Sequence, residues 1–217
     1  MIASGRDCFI FESGAGKVVR RARDGRSLER EASVMRHARR HGFPAPQVFD
    51  AEGPDILMER VDGPNLMQDI ARRPWRLRAH ARLLADLHRQ LASVRAPGWL
   101  PAADGCIGNS LLHLDLHPLN VLVTADGPRV IDWANACRGP AGAELANTWL
   151  TIAAVPAAGP LARLGQRQLL RTFLDGVDRE AARPYLAAIA ERRCADRNTM
   201  DSERATIERL IAQEVAA

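Results

Sequence analysis

Lysine is nearly absent from this chain: Lys17 is the only one, and the rest of its 30 basic residues are arginines. Aromatic residues are scarce too, at 5%. A surface that follows a nucleic-acid strand clusters its cations and often interleaves aromatic platforms. Here the arginines are scattered among acids. The formal charge of +4 and pI near 9.3 therefore describe a solvated Arg/Glu surface, and no nucleic-acid partner is expected. The four cysteines, Cys8, Cys106, Cys137 and Cys194, stand far apart with no C-x-x-C pair. They read as free thiols of a reducing, cytoplasmic compartment. Long apolar runs are missing as well. The longest stretch, Leu145 to Ala162, is broken by Asn147, Pro156, Gly159 and Pro160, so no membrane span is expected. Arg6 and Asp7 interrupt any early apolar run, which argues against a signal peptide. No internal repeat or low-complexity linker is visible.

The 217 residues are 47% apolar and 26% charged, enough for one two-lobed domain with a core of its own. The informative part is His113 to Trp133. His113-Leu114-Asp115-Leu116-His117-Pro118-Leu119-Asn120 fits the catalytic-loop pattern H-x-D-L-x-x-x-N. Val121 to Thr124 is apolar and β-branched, a strand signal. Ala125-Asp126-Gly127-Pro128 is turn chemistry, and Arg129 to Asp132 is the return strand. Asn120 and Asp132 are each six residues from Asp126, which sets them nearly opposite at the open end of the hairpin. Cross-strand Cβ atoms lie about 4.5–5.5 Å apart, so an amide oxygen and a carboxylate can share one cation. Mg²⁺ suits that pair when phosphates and water complete its shell. Asp115, in the loop entering the hairpin, reaches the same cleft. Phosphoryl transfer needs this set: one group to orient the attacking hydroxyl and two to hold magnesium. Asp126 itself reads as an incidental turn acid.

His113 to Val123 together with Val130 to Ala134 resembles the loop and metal-binding segment of the aminoglycoside phosphotransferase and choline kinase-like family, whose form is H-G-D-x-H-P-x-N-h-L-h and then h-I-D-W, with h apolar. Leu114 stands where glycine is usual. The resemblance runs in order over most of residues 4–150. It implies an α+β, bilobal protein-kinase-like fold: a small N-terminal sheet lobe over residues 1–62 and a mainly helical catalytic and substrate-binding lobe over residues 63–217. The chain starts four residues before Gly5, so the first strand of the usual nucleotide lobe is expected to be nearly absent.

In the N-terminal part, Cys8 to Phe11 and Lys17 to Arg21 read as strands around a turn at residues 12–16. Ser27 is placed to cap a helix running to about Arg40, with Leu28, Ala32, Met35 and Arg39 on one stripe. In the kinase fold a basic strand residue contacts the phosphates and pairs with an acid on the next helix. The resemblance assigns these roles to Arg20 and Glu31, with Arg21 left as the alternative register. Arginine offers a planar fork for phosphate and carboxylate together. Gly5, in Ser4-Gly5-Arg6-Asp7, is the candidate phosphate-loop glycine; Gly14 and Gly16 compete but suit the hairpin turn. Phe43 to Phe49 leaves the helix for a further strand. Ile56 to Gly63 resembles the family's hinge, where the backbone of Glu59 and Val61 would meet the adenine edge and Met58 would border the pocket.

Trp75 to Val94 is an amphipathic helix with Leu77, Ala81, Leu84, Leu87, Leu91 and Val94 at helical spacing. His88 within it reads as packed or hydrogen-bonded. His113 is expected to organise the catalytic loop, and His117 either to do likewise or to approach substrate. His37, His41 and His80 read as surface or helix-face residues. Residues 133–140 contain no Ser, Thr or Tyr, so control by phosphorylation is not expected there. Glu144-Leu145-Ala146 stands where the family has Asp-Leu-Ala, which implies that Glu144 anchors the catalytic loop. The tail reads as helices over 165–176, 180–194 and 201–215. From Ala141 onward acids and arginines balance at ten each, whereas a polycationic aminoglycoside favours an acidic wall. The expectation is a phosphotransferase that moves the γ-phosphate of ATP, or GTP, with Mg²⁺ to a hydroxyl of a small molecule. A nucleotide-binding pseudokinase and, further off, a protein kinase stay open.

Overall fold

The structure, a computed structural model, describes residues 1, 3–4, 7–14, 16–103, 105–196 and 199–215. Five antiparallel strands open the chain: β1 (Ala3–Ser4), β2 (Cys8–Glu12), β3 (Lys17–Ala22), β4 (Val48–Glu52) and β5 (Asp55–Glu59), in the spatial order β1-β2-β3-β5-β4. β1 pairs with β2 through Ala3 and Ser4 alone. Helix α1 (Glu29–Arg40) packs on β4 and β5. It buries Ala32, Val34, Met35 and Ala38 against Cys8, Val18, Ile56 and Met58 of the sheet. Glu29 and Glu31 lie in its first turn and His37, Arg39 and Arg40 in its last, matching the helix dipole at both ends. The sequence stripe fails at Arg39, which is exposed, and Ala38 fills the inward position. The helix starts at Glu29 with Leu28 as N-cap. The Ser27 hydroxyl still accepts the Glu29 N–H at 3.3 Å.

The helical C-terminal region begins with α2 (Leu66–Arg72). Asn65 and Gln68 form a reciprocal capping box there, which satisfies orphan donors at both residues. Gly63 is needed just before it, because a Cβ at that position would meet the Val123 carbonyl oxygen at 2.1 Å. The connection from the sheet thus presses on the hairpin of β7 (Val121–Thr124) and β8 (Gly127–Val130), and the Val123 N–H donates to the Pro64 carbonyl at 2.8 Å. A one-turn helix at Pro74–Arg76 leads into α3 (Leu77–Ala92). Strands β6 (Ser110–Leu112) and β9 (Cys137–Gly139) pair on either side of the hairpin in sequence.

Helix α4 (Ala141–Ala154) is buried along nearly its whole length. Around it pack α3, α5 (Pro160–Leu174), α6 (Arg179–Ala182), α7 (Leu186–Ala195) and α8 (Asp201–Val215). A helix apolar on all sides belongs at the centre of such a cluster. α8 spans the range expected from its apolar spacing. The expected helix over 180–194 is instead divided at Arg183–Tyr185, where Pro184 lacks the N–H a continuous helix needs. α5 starts earlier than expected, at Pro160 after Gly159 with φ +94°. His80 departs from expectation more sharply: it is buried, and its Nε2 donates to Asp69 Oδ2 at 2.7 Å. Among the described residues no helix is long and apolar enough to cross a membrane.

Candidate active site

The loop between β6 and β7 is held from beneath by α4. Glu144 Oε2 accepts the N–H groups of His113 and Leu114 at 2.6 and 2.7 Å. The Thr148 hydroxyl, one turn further along, donates to the Leu116 carbonyl at 2.7 Å. Leu114 keeps a left-handed backbone, φ +53°, the conformation glycine adopts without steric cost. The side chain that replaces the glycine is 3% exposed in the apolar core, and its burial offsets a left-handed penalty of about 1–2 kcal/mol. Burial pushes Glu144 up to about 7, against the backbone N–H groups that favour its charged form. Its Oε1 has no partner, so a proton placed there leaves the Oε2 bonds intact.

His113 sits below the loop, fully buried, with Nε2 at 3.0 Å from the Ile131 carbonyl and its ring 4.6 Å from that of Trp133. Burial lowers its pKa despite the nearby carboxylates of Asp115 and Asp132. His88, packed edge-on against Phe173, is pushed down to about 3 by burial. Both rings are neutral at ordinary pH, a state suited to bracing.

Asp115 is half-buried. Its Oδ1 lies 3.3 Å from His117 Nε2, and its Oδ2 accepts Asn120 Nδ2 at 2.9 Å. Burial works against its charged form, but the hydrogen bond from His117, with a smaller contribution from the Arg193 cation, outweighs it, holding the carboxyl below its usual range. Asn120 Nδ2 also donates to the Asp115 carbonyl at 2.9 Å. A carboxylate and a carbonyl only accept, so the nitrogen must face them and the amide oxygen is left over.

Asn120 stands opposite Ile131, whose N–H donates to the Asn120 carbonyl at 2.9 Å. The turn is tighter than expected, because Thr124 already pairs with Gly127. Asp132 therefore falls one residue past the position facing Asn120 and turns with φ +67°. Its carboxylate is about half exposed and meets Arg20 Nη2 at 3.3 Å. Arg20 also ion-pairs with the buried Glu31, and Glu31 Oε1 accepts the Trp133 N–H at 3.1 Å. Burial disfavours the Arg20 charge, yet Glu31 and Asp132 raise its pKa. Burial raises the Glu31 carboxyl in spite of Arg20. Arg21 faces away and pairs with Asp55, Nε to Oδ1 at 2.7 Å.

A cleft of about 520 Å³ gathers Arg20, Met58, Glu59, Val61 and Asp132 along its walls, with Cys8, Val18, Leu122 and Ile131. Pockets of small ligands fall in this size range. Asp115, Asn120 and His113 do not line it; Asn120 and His113 bond the backbone of Ile131, which does, and Asp115 bonds Asn120. The Glu59 N–H donates to the Gln47 carbonyl at 2.8 Å and that of Arg60 to the Gly16 carbonyl at 2.9 Å. The Glu59 carboxylate reaches across to Arg129 Nε on β8 at 3.2 Å. Gly5 lies outside the described residues. Gly14 and Gly16 hold positive φ in the β2–β3 turn. Thr148 has no legible signal, since it reaches the loop from a helix distant in sequence, and the same holds for Arg193 of α7, which bonds Asn147 beside it.

A sheet of this strand order, a strand arginine paired to a helix glutamate, and an Asp/Asn loop followed by a second aspartate define a protein-kinase-like small-molecule phosphotransferase. The chain belongs to the phosphotransferase enzyme family, whose model matches residues 3–105 and 108–210. No curated protein matches the sequence. Its fold is similar to that of a thermostable mutant of aminoglycoside phosphotransferase APH(4)-Ia in the apo form, with TM-score 0.69 and 18% identity over 100% of this chain and 94% of that one. A ternary complex of a further thermostable APH(4)-Ia mutant with AMP-PNP and hygromycin B gives 0.67 and 18% over 99% and 92%. A choline/ethanolamine kinase family protein from Mesorhizobium loti gives 0.57 and 16% over 98% and 85%. At these identities the likeness is one of fold.

Proposed function

We propose that this chain transfers the γ-phosphate of ATP to a hydroxyl of a small molecule, with residues 1–62 as the nucleotide lobe and 63–217 as the catalytic lobe. One observation carries the reading: Asp115 and Asn120 are bonded to each other and tied through the Ile131 backbone to Asp132, which meets Arg20 at the wall of the cleft. Adenine would lie against Met58 and the hinge backbone of Glu59 and Val61. The relatives crystallised with AMP-PNP and with ADP support a nucleotide in this cleft.

The residues fit a magnesium ion. The Asn120 amide oxygen is left over by its bonds to Asp115, and the Asp132 carboxylate is open to the cleft. Mg²⁺ takes one or two protein oxygens and completes its shell with phosphates and water, so Asn120 and Asp132 would hold it. When bound, it neutralises charge on the phosphates. Arg20, kept cationic by Glu31, steadies the same oxygens. Asp115 accepts a hydrogen bond from the acceptor hydroxyl and takes its proton as the new O–P bond forms and ADP leaves. His113 and Glu144 fix the loop that aims it. Positioned proton transfer contributes about 10²–10⁴-fold. Asp115→Asn should therefore abolish turnover while the melting temperature still rises with nucleotide; full activity in that variant contradicts the assignment.

A further inference from the structure

We propose that the acceptor carries an anionic group, a carboxylate or a phosphate, and that Arg193 recognises it beside the hydroxyl oriented by Asp115. This rests on the reading above, in which Asp115 faces the acceptor. Four arginines of the helical tail are half-buried: Arg179, Arg183, Arg193 and Arg204. Arg179 and Arg183 pair with Glu214, and Arg204 pairs with Asp201. Among the described residues Arg193 has no ion pair. Its hydrogen bond is a long one, Nη1 to Asn147 Oδ1 at 3.4 Å. A partly desolvated cation without a direct ion pair is costly, and an acceptor anion in contact with it would lower that cost.

Position points the same way. Arg193 bonds Asn147, the neighbour of the Thr148 that holds the Leu116 carbonyl next to Asp115, and its charge and that of Asp115 act on each other. Asp115 is the carboxylate that acts most strongly on it, ahead of Glu203 and Asp196, but Asp115 is already engaged by His117 and Asn120. A guanidinium offers a planar fork that matches carboxylate and phosphate oxygens in pairs. A hydroxyl acceptor whose anionic group sits on Arg193 would present its hydroxyl toward Asp115. A polycationic acceptor would meet like charge there.

The test is calorimetric titration of the full chain with glycerate, glycerol 3-phosphate, glycerol and ethanolamine, with ATP·Mg²⁺ binding measured on the same samples. Saturable binding of at least one anion is expected, with glycerol and ethanolamine at least tenfold weaker; the two anion arms tell carboxylate from phosphate. Arg193→Gln should weaken the anion tenfold or more, and Arg193→Lys should recover part of the loss. If Arg193→Gln does not fold, Asn147→Asp, which supplies an internal carboxylate to Arg193, should weaken the anion likewise. No binding of either anion to the wild type, equal binding by the variants, or a preference for ethanolamine overturns the proposal. Anion binding that depends on Arg193 while ATP·Mg²⁺ fails to bind contradicts the phosphotransfer reading alone.

Discussion

Leu114 and Asp132 are the non-glycine residues with left-handed backbone among those described, at φ +53° and +67°, and each sits in one of the two loops of the site. Both loops are pinned by a buried glutamate from a helix. Glu144 of α4 accepts the N–H groups of His113 and Leu114, and Glu31 of α1 accepts that of Trp133. The similarity ends there. Glu31 shares its charge with Arg20, whereas an unpartnered oxygen of Glu144 can carry a proton. Leu114 turns its side chain into the core, and Asp132 turns its carboxylate to the cleft. One loop is held by acceptor oxygens and apolar burial, the other by an ion pair that also faces the cleft. Charge matters at Glu31, and the presence of an acceptor matters at Glu144.

The largest effect should come from breaking the charged side. Glu31→Gln keeps an oxygen for Trp133 but leaves Arg20 without its buried partner. Removing one member of a buried pair costs about 3–5 kcal/mol, so chemical denaturation should show a loss of that order, with weaker nucleotide binding. On the other side, Glu144→Ala orphans two buried N–H groups and should cost about 2–4 kcal/mol, while Glu144→Gln should cost clearly less. Equal losses for Glu144→Ala and Glu144→Gln would show that the acceptor oxygen alone does not hold the loop.

Titration sharpens it further. The Glu144 carboxyl is raised from 4.5 to about 7, so the native state binds a proton that the unfolded chain releases at lower pH. Its contribution to stability is complete below about pH 4.5 and fades as pH rises through about 7. Relative to Glu144→Gln, the wild type should lose roughly 2–3 kcal/mol between pH 5 and pH 8, read as the difference between their denaturation curves. A flat difference contradicts the burial argument. The smallest effect belongs to Leu114→Gly: relief of the backbone offsets part of the lost core contact, leaving a net loss of about 1–2 kcal/mol. A gain in stability would show that the side chain does not offset the strain.

The grouping of the candidate site residues is legible because His113 to Trp133 packs loop, hairpin and second aspartate into one contiguous stretch, where turn residues and β-branched runs set the geometry. The hairpin register differs by one residue from the expected one, since two residues rather than four make the turn, and local signals for the two alternatives overlap. Arg20 and Arg21 were indistinguishable in sequence; pairing of β3 with β5 decides which faces Glu31. Long-range contacts left no trace. His80 reads as a helix-face residue until Asp69 of α2 packs on it, and Arg193 reads as tail composition until α7 docks on α4. The resemblance placed Glu144 near the loop, but only packing shows that its Oε2 takes two N–H groups.

The most direct test of the account is thermal melting with ATP or GTP, with and without Mg²⁺, for the wild type and Asp132→Ala. The account predicts a rise in melting temperature that depends on magnesium in the wild type and is lost in Asp132→Ala. No rise with either nucleotide, or a magnesium-dependent rise that Asp132→Ala retains, would contradict it.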